Sequence, residues 1–300
     1  MKQQYQEVNF RRDTLHLIDL MNGIIDDYVN QGYRLTVRQL YYQLVARDII
    51  ENTERSYKRT TGIVNDARNA GLMDWDAIED RTRDFIRRAS WKNGKEILNA
   101  CADSFHSDMW LNQEHRVFVI VEKEALAGVL ERACRRWDVP LLAARGYPSG
   151  TVLREFAEED LLPADRSGQH AVILHFGDHD PSGLDMSRDL QERLSMFTWN
   201  QEFHFERVAL NMDQIDEQDP PPNPAKTTDS RFEAYLRQFG HESWELDALP
   251  PSYLANLVDE HVGRFVDDDQ WDLREKHIQA TRNALFKTAL AFKEPKEAAL

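Results

Sequence analysis

Apolar residues recur at helical spacing near the start of the chain. Leu15, Ile18, Met21, Ile25 and Tyr28 fall three or four apart within residues 11–31, and Gly32 follows where a C-terminal cap belongs. Thr36-Val37-Arg38-Gln39 has the pattern of a capping box, a hydroxyl at the N-cap and an amide three residues on, so a second helix starts there. A third helix lies within ENTERSYKRTTGIVNDARNAG, capped by Asn52 or Thr53 and closed near Gly71. Short helices with tight connections predict a helix-turn-helix or winged-helix-like module over residues 1–110.

The pattern changes near residue 115. RVFVIVE, VPLLAARG, HAVILHFGD and FHFERVAL read as short apolar strands. Between them lie ALAGVLERACRRW, a helix from about Thr151 to Glu159, and a helix from Ser182. Strands alternating with helices predict an α/β unit, a mostly parallel Rossmann-like sheet covered on both faces, over residues 111–300. The loop DEQDPPPNPAKTTD interrupts the alternation. SWELDALPPSYL then gives a short strand and a helix, and a last helix fills the C-terminus.

Composition narrows the function classes. The 300 residues are 41% hydrophobic with seven Trp, which fits a packed protein and argues against general disorder. No apolar run approaches the roughly 20 residues that span a bilayer, and the first residues lack the apolar region of a secretory signal. Cys101 and Cys134 are far apart, which suggests a reducing compartment and no zinc site. A cytoplasmic protein with no membrane attachment is expected. The net charge of −15 is unfavourable for a nucleic-acid binder, but it is unevenly placed. Residues 1–90 hold 14 Lys/Arg and 14 Asp/Glu, so the whole excess lies beyond them. If DNA binds, the N-terminal module is the better surface. Arg55, Lys58 and Arg59 share one side of its third helix and suit a DNA backbone, as they also suit a solvated basic face.

In an open parallel sheet, functional groups collect beyond the carboxyl ends of the strands. Glu122 lies there after VFVIV, and Asp178 and Asp180 lie there after VILHFG. Three neighbouring carboxylates repel unless a cation holds them. Hard oxygen donors without Cys or paired His favour Mg²⁺, with Mn²⁺ as its substitute. The two aspartates also suit plain capping of the following helix. His179 reads as a solvated or hydrogen-bonded side chain, and Glu124 as a first-turn acid. Glu245 and Asp247 reach another strand end, where they suit assistance to the metal site or, more plainly, an ordinary acidic surface.

In TVRQLYYQLV, Val37, Leu40, Tyr41 and Leu44 share a face, which makes Tyr41 a core residue. Tyr42 is turned about 100° away and lies on the side of Arg38, four residues earlier. An exposed phenol beside an Arg suits attack on a phosphate, because the cation binds nonbridging oxygens and lowers the phenol pKa from about 10. An aromatic packing pair is the plainer reading of the same residues.

VFVIVEKEAL followed by LHFGDHDPSG resembles a Toprim domain, with one Glu after the first strand and Asp-x-Asp after a later one. RGYPSGTVLREF between them is similar to a turn in the branch containing the topoisomerase VI A subunit and the related meiotic double-strand-break proteins. The resemblance is clear over residues 115–210 and looser elsewhere. It implies that Glu122, Asp178 and Asp180 bind the metal. In that branch the nucleophilic tyrosine is the second aromatic of an Arg-x-x-aromatic-Tyr pattern, which Arg38, Tyr41 and Tyr42 match; Gln39 stands where an acid is usual.

The resemblance therefore implies cleavage of double-stranded DNA by Tyr42 with a 5′-phosphotyrosyl intermediate. It also implies a homodimer in which the tyrosine of one subunit meets the metal of the other. The chain has no G-x-x-x-x-G-K-[ST] loop, so strand passage would need a separate ATPase subunit. Two alternatives stand beside this expectation. One is a Toprim nuclease using metal-activated water, like those of plasmid-defence systems built around condensin-like motors. The other is a non-catalytic DNA-binding module.

Overall fold

The computed structural model describes residues 1–79, 88–225, 229 and 231–294. Near the N-terminus, α1 (Arg12–Asn30), α2 (Val37–Ala46) and α3 (Glu54–Asn69) pack around Ile18, Met21, Ile25, Leu40, Leu44 and Val64. Each start has a local cause at α2 and α3. The Thr36 side chain accepts from Gln39 N–H while the Gln39 side chain accepts from Thr36 N–H, and Thr53 caps α3. Gly32 closes α1 at φ +83°, a left-handed conformation suited to glycine. Leu15, expected inside, is exposed; Leu17 and Ile24 are buried in its stead. The described residues of 1–110 contain isolated bridges such as Leu35 to Ile78 but no strand that would serve as a wing.

After α4 (Gly94–Ser104) comes a four-stranded sheet of β1 (His115–Val121), β2 (Leu141–Ala143), β3 (His170–Phe176) and β4 (His204–Ala209). Its order is β2-β1-β3-β4 and every pairing is parallel, as the alternation of strands and helices predicts. The intervening helices are α5 (Glu124–Arg136), α6 (Gly150–Phe156), α7 (Leu162–Arg166) and α8 (Pro181–Phe197). Side chains alternate across the strands. Val117, Val119, Val121, Val172, Leu174 and Phe176 share one core with Leu126 and Leu130 of α5 and with Leu254 and Val258. Phe118, Ile120 and Ile173 face the other way, against Leu153, Met186 and Leu190. Burial on both faces explains why β1 and β3 read as unbroken apolar runs.

The C-terminal part adds α9 (Met212–Gln218), the two-residue strands β5 (Asn223–Pro224) and β6 (Glu242–Ser243), α10 (Phe232–Phe239), α11 (Pro251–Gly263) and α12 (Asp268–Ala291). A short turn, Leu246–Ala248, precedes α11. Beside β6, Trp244 exchanges two backbone hydrogen bonds with His179, at 2.8 and 3.0 Å. This bridge lays the segment 244–247 against the Asp178–Asp180 loop. Among the described residues no helix is long and apolar enough to cross a membrane.

Candidate active site at the carboxyl end of the sheet

Register sets the site. Val121 pairs with Phe176, so Glu122 and the Gly177–Asp180 loop leave adjacent strands at the same height. Glu122 Oε2 accepts from the Asp178 N–H at 2.9 Å. A Cβ on either Gly177 or Gly183 would sit 3.1 Å from that oxygen, and one on Gly183 only 2.2 Å from the Asp178 carbonyl oxygen. The two glycines are therefore what lets the loop close around the carboxylate. Asp180 N-caps α8, accepting from Gly183 N–H at 2.6 Å, and Pro181 takes the first helical position. The capping reading of Asp180 is thus correct as far as one of its oxygens goes.

Arg207 of β4 underlies this loop. It donates to the carbonyls of Gly177, Asp178, Gly183 and Leu210 and to Ser187 Oγ, at 2.6–3.2 Å. Burial pulls its pKa down to about 10 against the opposing pull of Glu122, Asp178 and Asp180. Burial raises the pKa of Glu122, and the like charge of Asp180 adds to it. Among the described residues neither Glu122 nor Asp180 forms an ion pair with Lys, Arg or His.

Asp178 faces the other way. Its Oδ1 accepts from Leu246 N–H at 2.8 Å, and its Oδ2 lies 2.8 Å from the Lys123 ammonium. Lys123 also reaches Glu245 at 2.8 Å and Asp247 at 3.0 Å. Arg38 pairs with Glu245, and its Nε lies 2.9 Å from Asp247 Oδ2. That second contact is ionic in distance without hydrogen-bond alignment, for Asp247 Oδ2 has no hydrogen-bond partner. Burial raises the pKa of Asp178 to about 7 and that of Asp247 in the same direction. Burial also works to raise Glu245, but Lys123 and Arg38 outweigh it and hold this carboxyl at about 2. Three carboxylates share two cations, so the excess negative charge belongs to the cluster rather than to one residue.

Tyr42 corrects an expectation. It is 4% exposed, as buried as Tyr41, not a solvent-facing phenol. The reason is that α2 is covered on two sides. Leu40 and Leu44 face the N-terminal core, while Tyr41, Tyr42 and Val45 pack with Ala248 of the other module. The Arg38 guanidinium does lie 5.9 Å from the Tyr42 ring centroid, close enough for its charge and that of Glu245 to act on the phenol. Yet burial, with Asp247 and Glu245 adding to it, pushes the phenol up to about 12 instead of below 10. A cleft of about 340 Å³ opens beside it, lined by Arg38, Tyr57, Asn52, Asn223 and Glu245 among others.

Arg55, Lys58 and Arg59 are all exposed on α3, with Lys58 paired to Glu54 at 2.6 Å. Among the described residues none of the three is ion-paired to the charge cluster just described. His179 is buried, its Nδ1 3.0 Å from the Tyr235 hydroxyl, and Glu124 sits in the first turn of α5, paired with Arg145. Lys123 and Arg207 carry no expectation from the sequence, while Glu245 and Asp247, set aside as surface acids, belong to the cluster, with Asp247 buried. Arg207 carried one signal, a lone cation inside an apolar strand.

Among the described residues no three His, Cys, Asp or Glu side chains are grouped as a ready-made metal cage. The donor chemistry still fits a hard divalent ion at Glu122 and Asp180. Both supply oxygens, burial disfavours an unneutralised charge at Glu122, and glycines leave room around it. Asp178, expected as a third ligand, spends both oxygens on Leu246 and Lys123. No protein-family model and no curated protein matches this chain.

Proposed function

We propose that the chain cleaves double-stranded DNA by metal-dependent phosphoryl transfer with Tyr42 as nucleophile, in the manner of a topoisomerase VI A subunit. The observation that carries this reading is connectivity. Arg38 of the N-terminal module, beside the Tyr42 ring, shares one charge network with Lys123 and Asp178 of the sheet module through Glu245 and Asp247. A divalent ion, Mg²⁺ or Mn²⁺, on Glu122 and Asp180 supplies charge stabilisation for the departing 3′ oxygen when bound. Arg38 lies beside the Tyr42 ring and is suited to a nonbridging phosphate oxygen once its pairing with Glu245 opens. The Tyr42 oxygen bonds to phosphorus as the P–O3′ bond breaks and the phenol proton passes to the departing 3′ oxygen, so the phosphoester is conserved and can be resealed. A homodimer, with Tyr42 here beside its own chain's charge network rather than the partner's metal, and a separate ATPase subunit belong to this proposal, as does a cytoplasmic location.

The test uses Mg²⁺, duplex DNA and denaturation with and without protease. Wild type yields DNA with protein attached at 5′ ends. Tyr42→Phe removes one oxygen from a packed site and yields no cleavage and no attachment; Tyr41→Phe behaves as wild type. A second reading, hydrolysis by metal-activated water, draws on the burial of Tyr42 and its phenol at about 12. Cleavage by Tyr42→Phe that leaves free ends decides for it. A non-catalytic binding module is the remaining outcome, read as binding without cleavage by any form.

DNA contact is expected along α3. Changing Arg55, Lys58 and Arg59 together to Ala weakens DNA binding and flattens its salt dependence by about 0.9 log-log units per lost phosphate contact. An unchanged slope in a salt titration places the contact elsewhere.

A further inference from the structure

The carboxylates at this end of the sheet fall into two groups. Asp178, Glu245 and Asp247 surround the Lys123 ammonium at 2.8–3.0 Å. Glu122 and Asp180 have no Lys, Arg or His ion-paired to them among the described residues, although each accepts a backbone N–H of the same loop and helix start. We propose that Lys123 is the built-in second cation of the site, so that the chain takes up one divalent ion rather than two.

Three observations support this. The first is occupancy. An ammonium in contact with three carboxylates, one of them fully buried, already stands where a second hard cation would find its oxygen ligands. The second is charge. The five carboxylates Glu122, Asp178, Asp180, Glu245 and Asp247 face the three cations Arg38, Lys123 and Arg207, which leaves a formal charge of −2. One divalent ion neutralises that; two would overshoot it. The third is anchoring. Lys123 follows Glu122 directly at the end of β1, and the loop it binds is fastened through the His179–Trp244 bridge and the Leu246 N–H. The ammonium is therefore placed by the backbone and not by a mobile surface chain. Sites with two metal ions use the second as a fixed charge on the transferring group. Here the protein supplies that charge, at the cost of two side-chain charges from the C-terminal segment that hold it in place.

The inference rests on Glu122 and Asp180 as ligands, and its test separates the two. Mn²⁺, visible by electron paramagnetic resonance, is titrated into the full-length chain without DNA, and tight sites are those from which Mg²⁺ competes it. Wild type is expected to hold one tight Mn²⁺, and Glu122→Gln with Asp180→Asn none. Lys123→Ala opens the Asp178–Glu245–Asp247 position, so it is expected to hold two, and its melting temperature rises more with Mn²⁺ than that of wild type. Two tight ions in wild type overturn the inference and leave the ligand reading standing. One ion in Lys123→Ala that keeps its circular dichroism spectrum also overturns it. No tight ion in wild type overturns both. If Lys123→Ala does not fold, the wild-type count still decides between one and two.

Discussion

Lys123→Met lowers the stability of the protein by about 3–5 kcal/mol, measured without divalent ions as a fall in the urea midpoint with an unchanged slope. Methionine keeps the length and the packing of the stem and removes only the charge. What remains is Asp178, 8% exposed, and Asp247, fully buried, with Arg38 the one cation still ion-paired to this group among the described residues. The loss is large because the carboxylates are already desolvated. An exposed pair such as Lys58–Glu54 is worth a small fraction of this. Part of the loss is recovered by protonation, since burial has already raised Asp178 to about 7. A midpoint within experimental error of wild type would show that the network does not hold the fold.

Glu122→Gln or Asp180→Asn lowers Mg²⁺-dependent DNA cleavage by about 10²–10³, the size of effect seen when one element of transition-state charge stabilisation is removed. Both changes preserve shape. In Glu122→Gln the new amide oxygen still accepts the Asp178 N–H, and in Asp180→Asn the side-chain oxygen still caps α8. Stability and DNA binding should therefore change little, and the defect should be in the chemical step. Raising Mg²⁺ restores part of the activity of a single variant and none of the double variant. Full activity in the double variant removes the metal from these two residues, whichever nucleophile is at work.

Much of the frame was legible because it follows from local physics. A capping box states where α2 begins, and an apolar run bounded by acids states where β1 and β3 end. Glu122 and Asp180 were legible as strand-end acids for the same reason. Tyr42 was misread because helical periodicity assigns one buried face, whereas α2 is packed from both sides by parts of the chain about 200 residues apart. Nothing in the spacing of TVRQLYYQLV announces the second partner. Asp178 points elsewhere than its place after β3 suggests, for a related reason. Its place after β3 is a sequence fact, but its direction depends on Leu246 and Lys123, which tertiary contact alone supplies. Glu245 and Asp247 were seen as acids near a strand end and set aside, since their counter-ions lie far away in the chain.

The Arg38–Glu245–Asp247–Lys123 seam also bears on inheritance. Recombination that replaced residues 1–110 alone would discard Arg38 and leave Asp247 buried with one cation fewer; replacement of the segment from Glu245 onward would strand Arg38 and Lys123 together. Either hybrid starts with uncompensated charge inside the protein. The two modules are consequently expected to pass between genomes as a pair, and lineages that lose one of these four side chains should lose or replace its partners in step.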